Sequence, residues 1–326
     1  MKPLHHIFRL SISLLLTTLM ACSLIACSGG PAEKTESESF TSPAKHLDQG
    51  IYHYNINDYA NAIDQFEKAL LQYRSIDNQR GIANSCLNLA KTFMAINNNQ
   101  IAAEYLARAD TVIEQASLTE LSEHLSLLKS SLAINNALYE QAIQELEPVL
   151  TSKNTEIRLA ALKNRTSIAF LQDDKEKLQW LEKYRTLQNS NPDNTSSHAA
   201  RILRFEAEAA DDPDKRTELL ARSLSISQSL ASRTAIAATL TQWADFDLEE
   251  KRLKEAEDKF LRALFIRHQL GDVKNSLAIL KRLQSVYDET DPEKAAKAGG
   301  WIEKFENNDL SGWDRLSIDL DNYPKY

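Results

Sequence analysis

The sequence predicts an all-α solenoid of antiparallel helix pairs repeating about every 40 residues, on three observations. A pattern of small and large apolar residues returns at that interval along much of the chain. Glycine and proline number only eight each in 326 residues, too few for a turn-rich sheet protein or an enzyme built on phosphate-cradling loops. Alanine, leucine, glutamate, lysine and glutamine dominate from residue 44 onward, and these side chains lose least on entering a helix.

Residues 1–27 have a different character. Lys2 and Arg9 precede an apolar run from Leu10 to Ala26, interrupted only by Ser, Thr and Cys22. A basic start, an apolar centre and a small residue at the end form an export signal. The run is short for a membrane span, which needs about 20 residues. Leu24-Ile25-Ala26-Cys27 resembles the lipobox of bacterial lipoproteins, with Leu19-Met20-Ala21-Cys22 a poorer match. The resemblance implies that Cys27 is lipidated and becomes the mature N-terminus. Ser28, in place of aspartate, then implies the outer membrane, with the body expected to face the periplasm. Processing at Cys27 leaves Cys86 as a lone thiol, so no disulfide framework is expected.

Residues 28–43, SGGPAEKTESESFTSP, carry one aromatic among Pro, Gly, Ser, Glu and Thr and are expected to form a flexible tether. Sixteen such residues span about 20–24 Å on average. Without Lys2 and Arg9 the chain has 36 basic against 46 acidic side chains. That balance argues against nucleic acid, which a basic face must engage, and against broad adhesion to anionic lipid.

The repeats occupy residues 44–305. Ala62, Phe66 and Ala69 fall at intervals of four and three on one helical face, and Ala102, Leu106 and Ala109 repeat them 40 residues on. Ala142, Leu146 and Val149 follow after another 40, and Ala256, Phe260 and Ala263 recur near the other end. Lys177, Thr217 and Ala296 mark weaker equivalents on the same count. Six helical pairs and a weaker seventh are expected at 44–76, 80–115, 119–151, 156–188, 198–230, 233–270 and 273–305. Asp212-Pro213 and Asp291-Pro292 each read as an N-cap followed by proline at the first helical position. Pro148 is expected to kink its helix or end it early. Residues 306–326 form a tail whose Leu316–Leu320 alternation fits an extended segment, expected to cap the last hairpin.

Asp58-Tyr59-Ala60-Asn61-Ala62-Ile63-Asp64-Gln65-Phe66-Glu67-Lys68-Ala69-Leu70 resembles the second helix of a tetratricopeptide repeat, with Gly50 at that family's small first-helix position. Cys86, Leu89, Ala90 and Phe93 supply the next first helix, and Leu240, Trp243 and Ala244 a later one. The resemblance implies a right-handed superhelix whose first helices line a concave groove for peptides. It places Leu47, Ile51, Tyr54, Leu87, Asn88, Lys91, Met94, Leu127, Ser131, Ile134, Leu162 and Thr166 in that groove, an apolar surface with few charges. Leu47 and Ile51 stand where some members carry Lys and Asn to clamp a C-terminal carboxylate, so that clamp is not expected here.

Nothing else in the sequence calls for chemistry. The histidines at 46, 53, 124, 198 and 268 have no metal-ligand spacing. Cys86 shares its register with Leu240 and Leu280 and reads as a buried small hydrophobe. The acidic pairs Asp173-Asp174, Asp211-Asp212 and Glu249-Glu250 fall at expected turns, and Glu255–Lys259 and Asp258–Arg262 read as solvated i,i+4 pairs. Trp180, Trp243 and Trp301 fall near core-facing positions. No nucleotide-loop or nucleophile-elbow motif occurs. The expectation is a non-enzymatic scaffold without cofactor or metal. Its partner would be a protein or peptide of the cell envelope, and a lipid anchor its one link to the membrane. A carrier or chaperone for a small ligand or an unfolded exported chain is the alternative.

Overall fold

The computed structural model describes residues 38–190, 197–307, 309–312 and 316, so Cys27, the export signal and most of the tail lie outside it. The chain divides between Ser42 and Pro43, and the body described below begins at Pro43. It is an all-α solenoid. Fourteen helices follow one another among the described residues, with no strand.

The first pairs are α1 (Glu38–Asn55) with α2 (Tyr59–Ser75), α3 (Gln79–Ala95) with α4 (Asn99–Gln115), and α5 (Thr119–Asn135) with α6 (Tyr139–Leu146). The fourth and fifth are α7 (Thr155–Leu171) with α8 (Lys177–Asn189) and α9 (Ser197–Ala209) with α10 (Pro213–Ser229). Then come α11 (Arg233–Glu249) with α12 (Leu253–Gln269), and α13 (Val273–Thr290) with α14 (Pro292–Glu306). These are the seven expected pairs. The helix α1 starts inside the stretch read as tether and carries Pro43 in its interior, where one amide donor is lost. Pro148 stops α6 after eight residues, two positions before the ring.

The 40-residue interval is two 17-residue helices and two three-residue links, as in α2 through α5. Each link has its middle residue at positive φ: Asn57, Asp77, Asn97, Ser117 and Ala137 in the first half, and Ala231, Lys251 and Gly271 in the second. Around each the hydrogen bonds are the same. The amide of Asn57 donates to the Tyr54 carbonyl and that of Asp58 to His53, and Lys251 and Arg252 repeat this toward Leu248 and Asp247. This is the Schellman ending of a helix. The residue that closes one helix also opens the next. Asp58, Asn78, Asn98 and Asp272 each accept a bond from the amide three residues on.

Left-handed backbone costs an ordinary L-residue about 1–2 kcal/mol, which glycine avoids. Lys251 is exposed at φ 59°. Lys251→Gly is therefore expected to raise the stability in urea by about 0.5–1 kcal/mol, and Gly271→Ala (φ 66°) to lower it by about 1 kcal/mol. Shifts of the same sign in the two denaturation midpoints, or each with its sign reversed, would remove the argument.

Between the helices, Ala62, Phe66 and Ala69 are fully buried, as are Ala102, Ala109, Ala142 and Leu146, and again Ala256, Phe260 and Ala263. Small residues let the backbones approach and the large ones fill the space beside them. Three expected equivalents are corrected. Lys177 is the first residue of α8, and its ammonium pairs with Asp173. Thr217 and Ala296 are exposed, and the inward positions are Arg216 and Ala295, one residue earlier. The slot lies four residues after the cap, from Asp58 to Ala62 and from Asp291 to Ala295, so it follows the cap and not a fixed step of 40. Both Asp-Pro starts are as expected, with Asp212 and Asp291 capping α10 and α14.

The Glu255–Lys259 pair is also corrected. Lys259 Nζ turns to the buried Asp247 of α11, 2.6 Å away, and meets only the backbone carbonyl of Glu255. Asp258–Arg262 does pair, at 3.4 Å. Trp301 is buried, while Trp180 and Trp243 are half-buried beneath cationic side chains. Leu316 of the tail is fully buried in the cluster that holds Trp301 and Phe305, so that residue covers the last hairpin. No described helix is long and apolar enough to cross a membrane.

Candidate binding groove

The first helices of the first four pairs, α1, α3, α5 and α7, line a cavity of about 610 Å³. That is within the usual range for a ligand site. Seven of the twelve groove residues expected from sequence line it: Tyr54, Leu87, Asn88, Lys91, Met94, Leu127 and Ser131. The other five do not. Leu47 packs with the core around Phe66 and Phe93, Ile134 with that around Leu146 and Ile168, and Ile51 is exposed elsewhere on α1. Leu162 and Thr166 are buried in packing, and their neighbours Lys163 and Asn164 face the cavity instead.

The groove is not the apolar surface that was expected. Beside Leu87, Met94, Leu127 and Leu128 it carries Asn84, Asn88, Asn135, Asn164, Lys91 and Lys163. The Asn164 amide donates to Ser131 Oγ at 3.1 Å and so ties α7 to α5. Asn88 bonds back to the Asn84 carbonyl of its own helix. The side chains of Asn84 and Asn135 make no hydrogen bond among the described residues. Lys91 Nζ stands 4.2 Å above the Tyr54 ring, a cation–π contact.

No protein-family model matches the chain, and no curated protein matches it.

Next to this cavity, α7, α9 and α11 line a smaller one of about 190 Å³, with Ser167, Arg201, Arg204, Glu208 and Gln242 on its walls. Arg201 donates to Ser167 Oγ at 3.3 Å, and Gln242 to the Arg204 carbonyl at 3.0 Å. The electrostatics of the two cavities are joined. Burial, then Arg201 and Lys91, push the Lys163 ammonium down to about 8. Burial alone lowers Lys91, and burial with Arg201 and Arg267 carries Arg204 well below its ordinary value. Burial, aided by Lys163, holds His198 down to about 4, so its imidazole is neutral where it meets the Tyr184 hydroxyl at 2.5 Å. Glu208 is the one carboxylate felt by Arg201 and Arg204, and burial raises it. Neither arginine nor either lysine forms an ion pair among the described residues.

A cation whose folded pKa is depressed is a cost below that pKa, and the cost disappears as pH rises to the unfolded value. For Lys163 the window runs from about 8 to 10.5. Lys163→Met is expected to melt at a higher temperature than the parent at pH 7, by a margin that narrows between pH 8 and 10.5. A margin independent of pH in paired thermal melts would show that Lys163 is solvated in the folded chain.

Sequence reasoning missed Lys163, Arg201 and Arg204. The signal was present: each interrupts an otherwise apolar or small helical run, in LAALKNRTSIAF and AARILRFEA. Cys86 is buried, and burial pushes its thiol up to about 11, which leaves it a packing residue. No group of three or more potential metal ligands occurs among the described residues.

Proposed function

We propose that this chain is a tetratricopeptide-like scaffold, lipid-anchored through Cys27 at the bacterial outer membrane and facing the periplasm, which takes part in envelope assembly without catalysis. It would hold a segment of an envelope protein against the inner face of its first helices. The observation that carries this reading is the cavity of about 610 Å³ shared by α1, α3, α5 and α7, which packing of the hairpins does not fill. Its mixed lining suits an extended segment. Leucines and Met94 accept apolar side chains, and the carboxamides of Asn84 and Asn135 can pair with a peptide backbone. The lipobox-like Leu24–Cys27 and the acidic surface support an anchored, exported body.

The test is crosslinking in cells from a photoreactive residue at Met94 or Leu127, with the exposed Leu71 of α2 as the control position. One dominant envelope protein captured from the groove and not from Leu71 is the expected result. Capture of many exported chains, or co-purification of a small molecule, would replace the scaffold with a carrier. Identical capture from all three positions would overturn the groove. Palmitate labelling lost in Cys27→Ser tests the anchor separately.

A further inference from the structure

Resting on that reading, we infer that the segment held in the groove is acidic, and that Lys91, Lys163, Arg201 and Arg204 read its side-chain carboxylates from the first helices of the second, fourth and fifth pairs. The chain carries a formal charge of −8, yet the inner face collects cations. Lys91 on α3, Lys163 on α7 and Arg201 and Arg204 on α9 are each close enough to the next to be felt electrostatically. Buried like charges repel, and a protein that serves only stability would neutralise them with carboxylates on neighbouring helices. That is what happens elsewhere in this molecule, where Asp247 takes Arg252 and Lys259, and Asp272 takes Arg267. Among the described residues that line the two cavities Glu208 is the one carboxylate, set against Arg201 and Arg204, and Arg201 Nε is buried with no hydrogen-bond partner.

The lining selects among anions. A nucleic acid or other long polyanion would meet the acidic outer surface as it approached and would gain little from Leu87, Leu127 and Leu128. An extended peptide with alternating acidic and apolar residues uses both kinds of wall. It also needs no free C-terminus, because the cations are spread over three pairs of helices and do not converge on one point.

The experiment uses the full chain in detergent and four fluorescent 12-residue peptides read by anisotropy. Two alternate Glu with Leu, one ending in a carboxylate and one in an amide, and two replace each Glu with Gln. The expected result is that the Glu peptides bind at least tenfold tighter than the Gln peptides at low salt, with the amide changing affinity less than twofold. Lys163→Met and Arg201→Gln should each weaken the Glu peptide at least fivefold, while Lys163→Arg retains it. Thermal melts establish that the variants are folded. Equal binding of Glu and Gln peptides would overturn the acidic assignment and leave the groove reading standing. Dependence on the terminal carboxylate would overturn the strip, as would displacement by a single-stranded oligonucleotide at equal concentration. If no peptide binds while Met94 still captures one protein, the acidic assignment fails alone; if Met94 captures nothing specific, the groove reading fails with it.

Discussion

Phe66→Ala is expected to lower the stability of the first two pairs by about 3–5 kcal/mol, at the upper end for a buried aromatic. The ring is fully buried and fills the space left by Gly50 on the facing helix, where an added Cβ would sit 2.4 Å from Cε1. Ala62 and Ala69, its neighbours on the same helix face, are too small to fill the vacancy. Gly50→Ala alone forces the ring to move and should cost about 1–3 kcal/mol despite alanine's better helix propensity. The double variant should cost less than the sum, because the new methyl occupies part of the space that the ring leaves. Urea denaturation followed by far-UV dichroism supplies all three values. A cost below 1 kcal/mol for Phe66→Ala, or strict additivity, would mean that the two helices are not held by this contact.

The second large effect belongs to Asp247. Its carboxylate is almost fully buried and accepts two bonds from Arg252, at 2.9 and 2.7 Å, and one from Lys259 at 2.6 Å. Arg252 is also the residue that closes α11 through its amide to the Asp247 carbonyl. Removing one member of a buried ion network leaves the others desolvated without compensation. Asp247→Ala should cost about 3 kcal/mol, and Asp247→Asn less, since the amide keeps the shape and some of the hydrogen bonding. Asp258→Ala, at an exposed i,i+4 pair, should cost about 0.5 kcal/mol and serves as the reference. If Asp247→Ala falls within that reference value, the network is solvated.

The two effects illustrate what could be read in advance. Phe66 and its neighbours were legible because a helix face repeats every three to four residues and because caps such as Asp58 and Asp291 fix where each helix starts. Asp247 was not. Its partners lie 5 and 12 residues away in the next turn and helix, and Lys259 had an apparent partner four residues off at Glu255. The left-handed links were legible at Asn57, Asp77 and Asn97, whose side chains tolerate that conformation, and not at Ala137, Ala231 or Lys251, whose side chains give no such sign. Counting by 40 succeeded while the links kept three residues and failed by one where they did not. One residue turns a helix by about 100°, enough to exchange Leu162 and Thr166 for Lys163 and Asn164 on the cavity wall. That single step adds a second cation, Lys163, to the Lys91 already expected on the wall.

One contact ties distant parts of the array together. The Arg233 guanidinium at the start of α11 donates to the Ile56 carbonyl in the link after α1, at 2.7 Å and 177 residues away in sequence. Nearby, Tyr59 of α2 feels the charges of Asp272, Arg267 and Arg233. In a linear array the end unit frays alone and its amides exchange first. Here the outermost hairpin also gives up that bond to the sixth when it loosens, so amide protons in α1 and α2 should exchange more slowly than in an end unit held by its neighbour alone. A purely local folding route also becomes insufficient, because closing so long a loop must precede the last native contact and slows the final step relative to zipping of neighbours.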